Sequence, residues 1–171
     1  MQRVIIKIFK LRNNNSSMKI IRFANSKDEY KKLLDFFRIV DRDFYPPLSN
    51  RCSLKAYLDS IVSKGVILYF LKNRKIIGLV GYYYFSTTYD SAYIKIIAIL
   101  KECRGKKFGT ALIGKCFLDL KNNNSKKVRI KTWSTNKISI HLYEKFGFKE
   151  YDVIKNDRGY GVDTIYFEKD L

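Results

Sequence analysis

An α/β fold, a mixed sheet flanked by helices, is what this sequence predicts, and three observations carry the prediction. Apolar residues recur at helical spacing in some segments and as dense branched and aromatic runs in others. The two kinds interleave in the order β, α, α, β, β, β, α, β, α, β, β. The 171 residues, 46% apolar with 12 Phe and 13 Tyr, suit one compact domain with a buried core. Neither internal repeats nor a second hydrophobic nucleus divides it.

Residues 1–17 read as an extension, closing in the polar run Asn13, Asn14, Asn15, Ser16, Ser17. They add an edge strand or precede a true start at Met18, and the predicted domain covers 18–171. Lys19 to Phe23 has strand character. Ser26 with Glu29 three residues on forms a capping box, and Tyr30, Leu33, Leu34, Phe37 and Val40 follow at helical spacing. After Pro46 and Pro47, Ser53 caps a second helix that buries Leu54, Leu58, Ile61 and Val62 and ends at Gly65. Val66 to Leu71 and Lys75 to Phe85 are strands joined by a tight hairpin at Asn73 and Arg74. Ala92 to Leu100 is a further strand. Then come a Gly-containing loop, a helix from about Thr110 to Lys121, a strand Val128 to Trp133, and a helix from about Asn136 to Phe146. Strands near Phe148 to Val153 and Val162 to Glu168 complete the chain.

Composition narrows the function classes. No run approaches the roughly 20 apolar residues of a bilayer span, which predicts a cytoplasmic protein with no membrane partner. Cys52, Cys103 and Cys116 form neither an even disulfide framework nor a CxxC pair, and with His141 as the single histidine no metal site is expected. Against 16 acidic side chains stand 34 basic ones, a net charge of +18. That excess fits a solvated lysine-rich surface or an attraction to polyanions, so nucleic acid is a weaker candidate partner. It is not uniform: Lys101 to Lys131 holds ten basic residues and only Glu102 and Asp119 as acids.

Arg104-Gly105-Lys106-Lys107-Phe108-Gly109-Thr110 lies between a buried strand and an amphipathic helix, where backbone N–H groups and the helix dipole favour an anion. Glycines allow close approach, and the three basic side chains can neutralise a pyrophosphate. A basic turn with two glycines also serves as a plain tight connection, so the loop alone leaves both readings open. It is neither a Walker loop nor a dinucleotide fingerprint.

The loop resembles the cofactor motif of the GCN5-related N-acetyltransferases (GNAT), Gln/Arg-x-x-Gly-x-Gly/Ala, except that Lys107 replaces the first motif glycine. The backbone there either keeps an ordinary negative φ or the loop is reshaped. Downstream, Asn136, Ser139 and Tyr143 share one helix face at spacing i, i+3, i+7. Tyr143-Glu144-Lys145-Phe146-Gly147-Phe148 closes that helix. Alone, Tyr143 would read as an aromatic packed on the sheet; together the residues are similar to the family's second motif, an Asn, a small residue, then Leu-Tyr-Glu-Lys-x-Gly-Phe.

The resemblance implies a central, mostly antiparallel mixed sheet with about four helices, and acetyl-CoA as co-substrate. It implies that the strand at Ile97, Ala98 and Ile99 splays from its neighbour and pairs with the pantetheine arm, and that Arg104 to Thr110 hold the phosphates. Asn136 and Ser139 would steady the arm, the Ile99 N–H would polarise the thioester, and Tyr143 would protonate the departing thiolate. No acid lies between Tyr93 and Leu100, so the general base is unassigned, with Asp90, Glu102 or a water chain as candidates. The acceptor is an amine of a small molecule or protein. Other readings of the fold are a basic nucleic-acid or ribosome-binding module and a non-catalytic acetyl-CoA sensor. A homodimer stays open, since edge strands of this fold can pair.

Overall fold

A computed structural model describes residues 18–88 and 90–171. The predicted extension over residues 1–17 lies outside the described residues. Within them the chain forms β1 (Ile20–Arg22), α1 (Lys27–Val40), α2 (Leu54–Lys64), β2 (Val66–Lys72), β3 (Lys75–Ser86), β4 (Ser91–Ile99), α3 (Phe108–Asn122), β5 (Lys127–Trp133), α4 (Lys137–Lys145), β6 (Lys149–Ile154) and β7 (Thr164–Asp170). The strands make one seven-stranded sheet in the order β1-β2-β3-β4-β5-β7-β6. Every pairing is antiparallel except β4 with β5.

Local chemistry accounts for the elements. The Ser26 side chain caps α1 by accepting from the Glu29 amide. The reciprocal bond of the capping box lands elsewhere: Glu29 Oε2 accepts from the Ala24 amide at 3.0 Å, and its Oε1 accepts from the Tyr69 hydroxyl at 3.0 Å. Asn25, in the left-handed region at φ 61°, turns the chain between them. α1 buries Leu33, Phe36, Phe37 and Val40, while Tyr30 and Leu34 are only partly covered. Ser53 caps α2 through the Ala56 amide. Asn73 and Arg74 have φ of 48° and 62°, the two positive values of the hairpin turn whose twist matches its flanking strands.

Gly65 ends α2 as expected, but not as a left-handed cap. Its backbone is extended at φ −127°, and a Cβ there would stand 2.5 Å from the Tyr82 carbonyl oxygen and 2.9 Å from that of Ile61. The glycine is needed because α2 runs directly against β3.

Side-chain alternation along β3 places helices on both faces. Tyr83 donates to the Ser60 carbonyl of α2 at 3.2 Å. Tyr82 and Tyr84 point the opposite way and donate to Asp119 of α3 at 2.5 and 2.7 Å. Arg22 of β1 joins the same carboxylate at 3.1 Å, so one acid fastens α3 across two strands. Phe70 and Phe108 meet at 5.0 Å, edge to face, and extend that layer. The buried apolar side chains other than Tyr93 form one cluster, including Cys103 and Cys116.

Gly65→Ala is expected to lower the unfolding free energy by about 2 kcal/mol or more, because the added methyl meets backbone that cannot give way; the midpoint of urea denaturation measures it.

Candidate active site

β4 and β5 share only two residue pairs, Ala92 with Val128 and Tyr93 with Arg129, before they part. Just beyond, β4 carries a bulge: Tyr82 pairs with Ile94 and Gly81 with Ile96, leaving Lys95 as the extra residue. Such an insertion bends the strand and increases its twist. Past the bulge β4 stays paired with β3, Val80 opposite Ile97, Leu79 opposite Ala98 and Gly78 opposite Ile99. The Leu100 amide donates to the Ile77 carbonyl at 3.0 Å. Alternate residues of an antiparallel strand address opposite neighbours, so Ile97 and Ile99 turn their backbone groups toward the gap. A cavity of about 350 Å³ occupies it, lined by Ile97, Ala98, Ile99, Gly109, Asn136, Ser139 and Tyr143 among others. The two motifs therefore meet at one cleft.

The loop reaches that cleft through two left-handed residues. Gly105 has φ 74°, and Lys107 has φ 63° with ψ 10°. Lys107 thus keeps the conformation for which a glycine is suited, in a region that disfavours a side chain by about 1–2 kcal/mol. Immediately after it α3 begins, at Phe108 and not Thr110, so Phe108, Gly109 and Thr110 all lie in the first turn. No side chain caps this terminus, which leaves its amide donors available to an anion.

The basic residues expected to be mobile are partly engaged. Arg104 Nε donates to the Ile99 carbonyl at 3.0 Å, and its Nη2 donates to Asp43 at 2.5 Å. Lys106 donates to the Glu102 carbonyl at 3.0 Å, while Lys107 is exposed beside them. Arg104 thus anchors the loop to the end of β4 as well as charging it.

The second motif sets up Tyr143. Asn136 is the N-cap of α4: its Oδ1 accepts from the Ser139 amide at 3.3 Å, and its Nδ2 donates to Thr132 Oγ1 at 3.0 Å. The side chain that the resemblance assigns to a ligand therefore also ties α4 to β5. At the other end Gly147 sits at φ 77°. Its amide donates to the Glu144 carbonyl at 2.8 Å, and the Phe148 amide donates to the Tyr143 carbonyl at 3.1 Å. This is a Schellman closure, whose usual hydrophobic contact joins the residues that here are Tyr143 and Phe148. Their rings lie 5.8 Å apart, and Phe167 of β7 stands 5.7 Å from Tyr143 on another side. Burial drives the Tyr143 phenol well above its ordinary pKa, opposed by a hydrogen bond with Ser139. The group is held protonated and fixed at the cleft.

Neither acid proposed as base lies there. Asp90 and Glu102 are exposed and absent from the cavity wall, and His141 is exposed on another face of α4. Asp43 does line the cavity, but it is paired with Arg104 and with Lys101 at 3.1 Å. Sequence reasoning missed Asp43, Arg51, Lys95, Lys131 and Arg158, all on the cavity wall. They come from separate segments, and no local pattern marks them. Among the described residues no group of three or more His, Cys, Asp or Glu side chains could hold a metal ion, and no helix is long and apolar enough to cross a membrane.

Comparison with known proteins assigns the family and the fold. Residues 33–148 match the profile of the acetyltransferase (GNAT) family, and the chain belongs to that family. Among curated proteins it is similar to the [ribosomal protein bS18]-alanine N-acetyltransferase of Haemophilus influenzae, 35% identical over 78 residues. That alignment takes in 46% of this chain and 53% of the relative, so the chain spans about half the length of the curated relative it matches. Among solved structures, a GNAT-family protein from Desulfovibrio desulfuricans superposes with a TM-score of 0.74 at 17% identity, covering 90% of this chain and 99% of that one. The ribosomal-protein-S18-alanine N-acetyltransferase of Escherichia coli gives 0.70 at 17% identity, covering 89% and 94%.

Replacing Lys107 by glycine is expected to raise stability by about 1 kcal/mol, the relief of left-handed strain less the extra freedom of an unfolded glycine. Lys107→Val should lower it, and paired chemical denaturation curves read both.

Proposed function

We propose that the protein is an N-acetyltransferase that moves the acetyl group of acetyl-CoA to a primary amine, of a small molecule or a protein, by direct attack on the thioester. The observation that carries this reading is the parting of β4 from β5, which leaves outward backbone groups of Ile97 and Ile99 beside a buried, protonated Tyr143. An extended pantetheine arm has amides that can complete such an edge. The pyrophosphate belongs at the uncapped start of α3, with Gly105 allowing close approach and Lys106 and Lys107 supplying charge. Arg104 steadies the loop and adds to its field.

In the reaction the amine nitrogen forms a bond to the thioester carbonyl carbon, and the carbonyl oxygen becomes an oxyanion facing the Ile99 N–H. A fixed donor aimed at that developing charge lowers the barrier. Collapse restores the carbonyl, breaks the carbon–sulfur bond and expels a thiolate, which Tyr143 protonates as general acid. The proton that the amine must lose passes to solvent at the open mouth of the cleft, since Asp43, the one carboxylate on its wall among the described residues, is tied up in ion pairs.

Two variants test separate parts of this reading. In calorimetric titration Gly109→Trp should abolish acetyl-CoA binding, because the position faces Leu142 at 3.4 Å with Ile97 just beyond; binding as tight as wild type would sink the cofactor assignment. Tyr143→Phe should bind acetyl-CoA within about threefold of wild type yet lose roughly a hundredfold or more in kcat. Because its phenol is shifted upward, Tyr143 should produce no alkaline fall in rate below about pH 10.

A further inference from the structure

The half of the cavity away from the phosphate loop is cationic. Arg51 follows the short turn at Leu48–Asn50, Lys95 is the bulge residue of β4, Lys131 lies on β5 and Arg158 lies between β6 and β7; all four line the wall. Among the described residues none of them forms an ion pair. Three lie over aromatic faces instead: Lys95 on Tyr57 at 5.2 Å, Lys131 on Tyr166 at 5.2 Å and Arg158 on Trp133 at 5.6 Å. Arg158 is pinned further, donating to the Tyr45 carbonyl at 2.7 Å and to Thr164 at 2.9 Å.

These cations feel one another. Burial lowers the pKa of Lys95, Lys131 and Arg158, and Arg51 adds repulsion in each case. One carboxylate, Asp157, acts in the opposite sense on Lys131 and Arg158, and it accepts from the Thr164 hydroxyl at 2.5 Å. Four positive groups on one cavity wall, three of them half-buried, are costly to hold together. A bound anion would relieve them. Coenzyme A phosphates belong at the other end, and residues 1–17 contain no acid that could fill the place.

We infer that the acceptor is a small amine carrying an anionic group, a carboxylate or a phosphate ester, which the cluster of Arg51, Lys95, Lys131 and Arg158 binds while the amine faces the thioester. This rests on the acetyltransferase reading and deepens it. A cavity of about 350 Å³ shared with the reacting end of the co-substrate fits a small molecule. The fixed guanidinium of Arg158 suits a planar carboxylate or a phosphate, and the flexible lysines close around it.

The test is calorimetry on the full chain with saturating coenzyme A, which occupies the phosphate loop. Matched probes are phosphoethanolamine against ethanolamine and 4-aminobutyrate against butylamine. Each anionic amine should bind at least about tenfold tighter than its neutral-tailed partner. Lys131→Met and Lys95→Met should each remove most of that preference, with coenzyme A affinity unchanged. Thiol release with acetyl-CoA then separates the two readings: anion-selective binding without turnover keeps the anion site and refutes the enzyme, whereas turnover that ignores the anionic group refutes the anion site. Equal binding of both partners in wild type, or a preference that survives both variants, overturns the inference. So does binding confined to acidic peptides.

Discussion

Between β4 and β5 the sheet holds only two residue pairs, and the geometry of the site depends on that early parting. A continuous sheet would satisfy the outward backbone groups of Ile97 and Ile99 internally and leave no cleft. Here the bulge at Lys95 turns β4 just after its last pair with β5. β4 is nonetheless rigid, because its other edge stays in register with β3 as far as Ile99. The result is a fixed edge beside empty space, the arrangement a preorganised site requires.

Two helix ends then define what the cleft can do. α3 opens with no side-chain cap behind a left-handed lysine, which leaves its amide donors available to an anion. α4 closes in a Schellman motif whose hydrophobic contact is the Tyr143 and Phe148 pair. The same bonds that stop the helix therefore hold the phenol. Asn136, on the cavity wall, caps α4 while bonding Thr132 of β5.

Charge is divided along the same cleft. The loop end pairs part of its basicity with Asp43, whereas Arg51, Lys95, Lys131 and Arg158 at the other end of the wall form no ion pair among the described residues. The overall charge of +18 thus acquires a local meaning that composition could not assign. Aromatic faces under Lys95, Lys131 and Arg158 help those charges sit half-buried with no carboxylate in ion-pair contact among the described residues.

By itself the sequence determined the elements, since hydrophobic period, the Ser26 and Ser53 caps and the Asn73-Arg74 turn are local signals that act within a few residues. It also located both motifs, because each is one contiguous segment whose backbone chemistry is set by its own glycines and caps. The left-handed state of Lys107 was not legible, as a lysine prefers negative φ and only the fixed ends of the loop force the other choice. Gly65 marks the end of α2 in the sequence, but its close approach to Tyr82 exists only once α2 lies on β3. The parting of β4 and β5, the pairing of Arg104 with Asp43 and the gathering of Arg51, Lys95, Lys131 and Arg158 were decided by the tertiary structure. They join residues far apart in the chain, and the contacts that bring such residues together have no counterpart in local sequence.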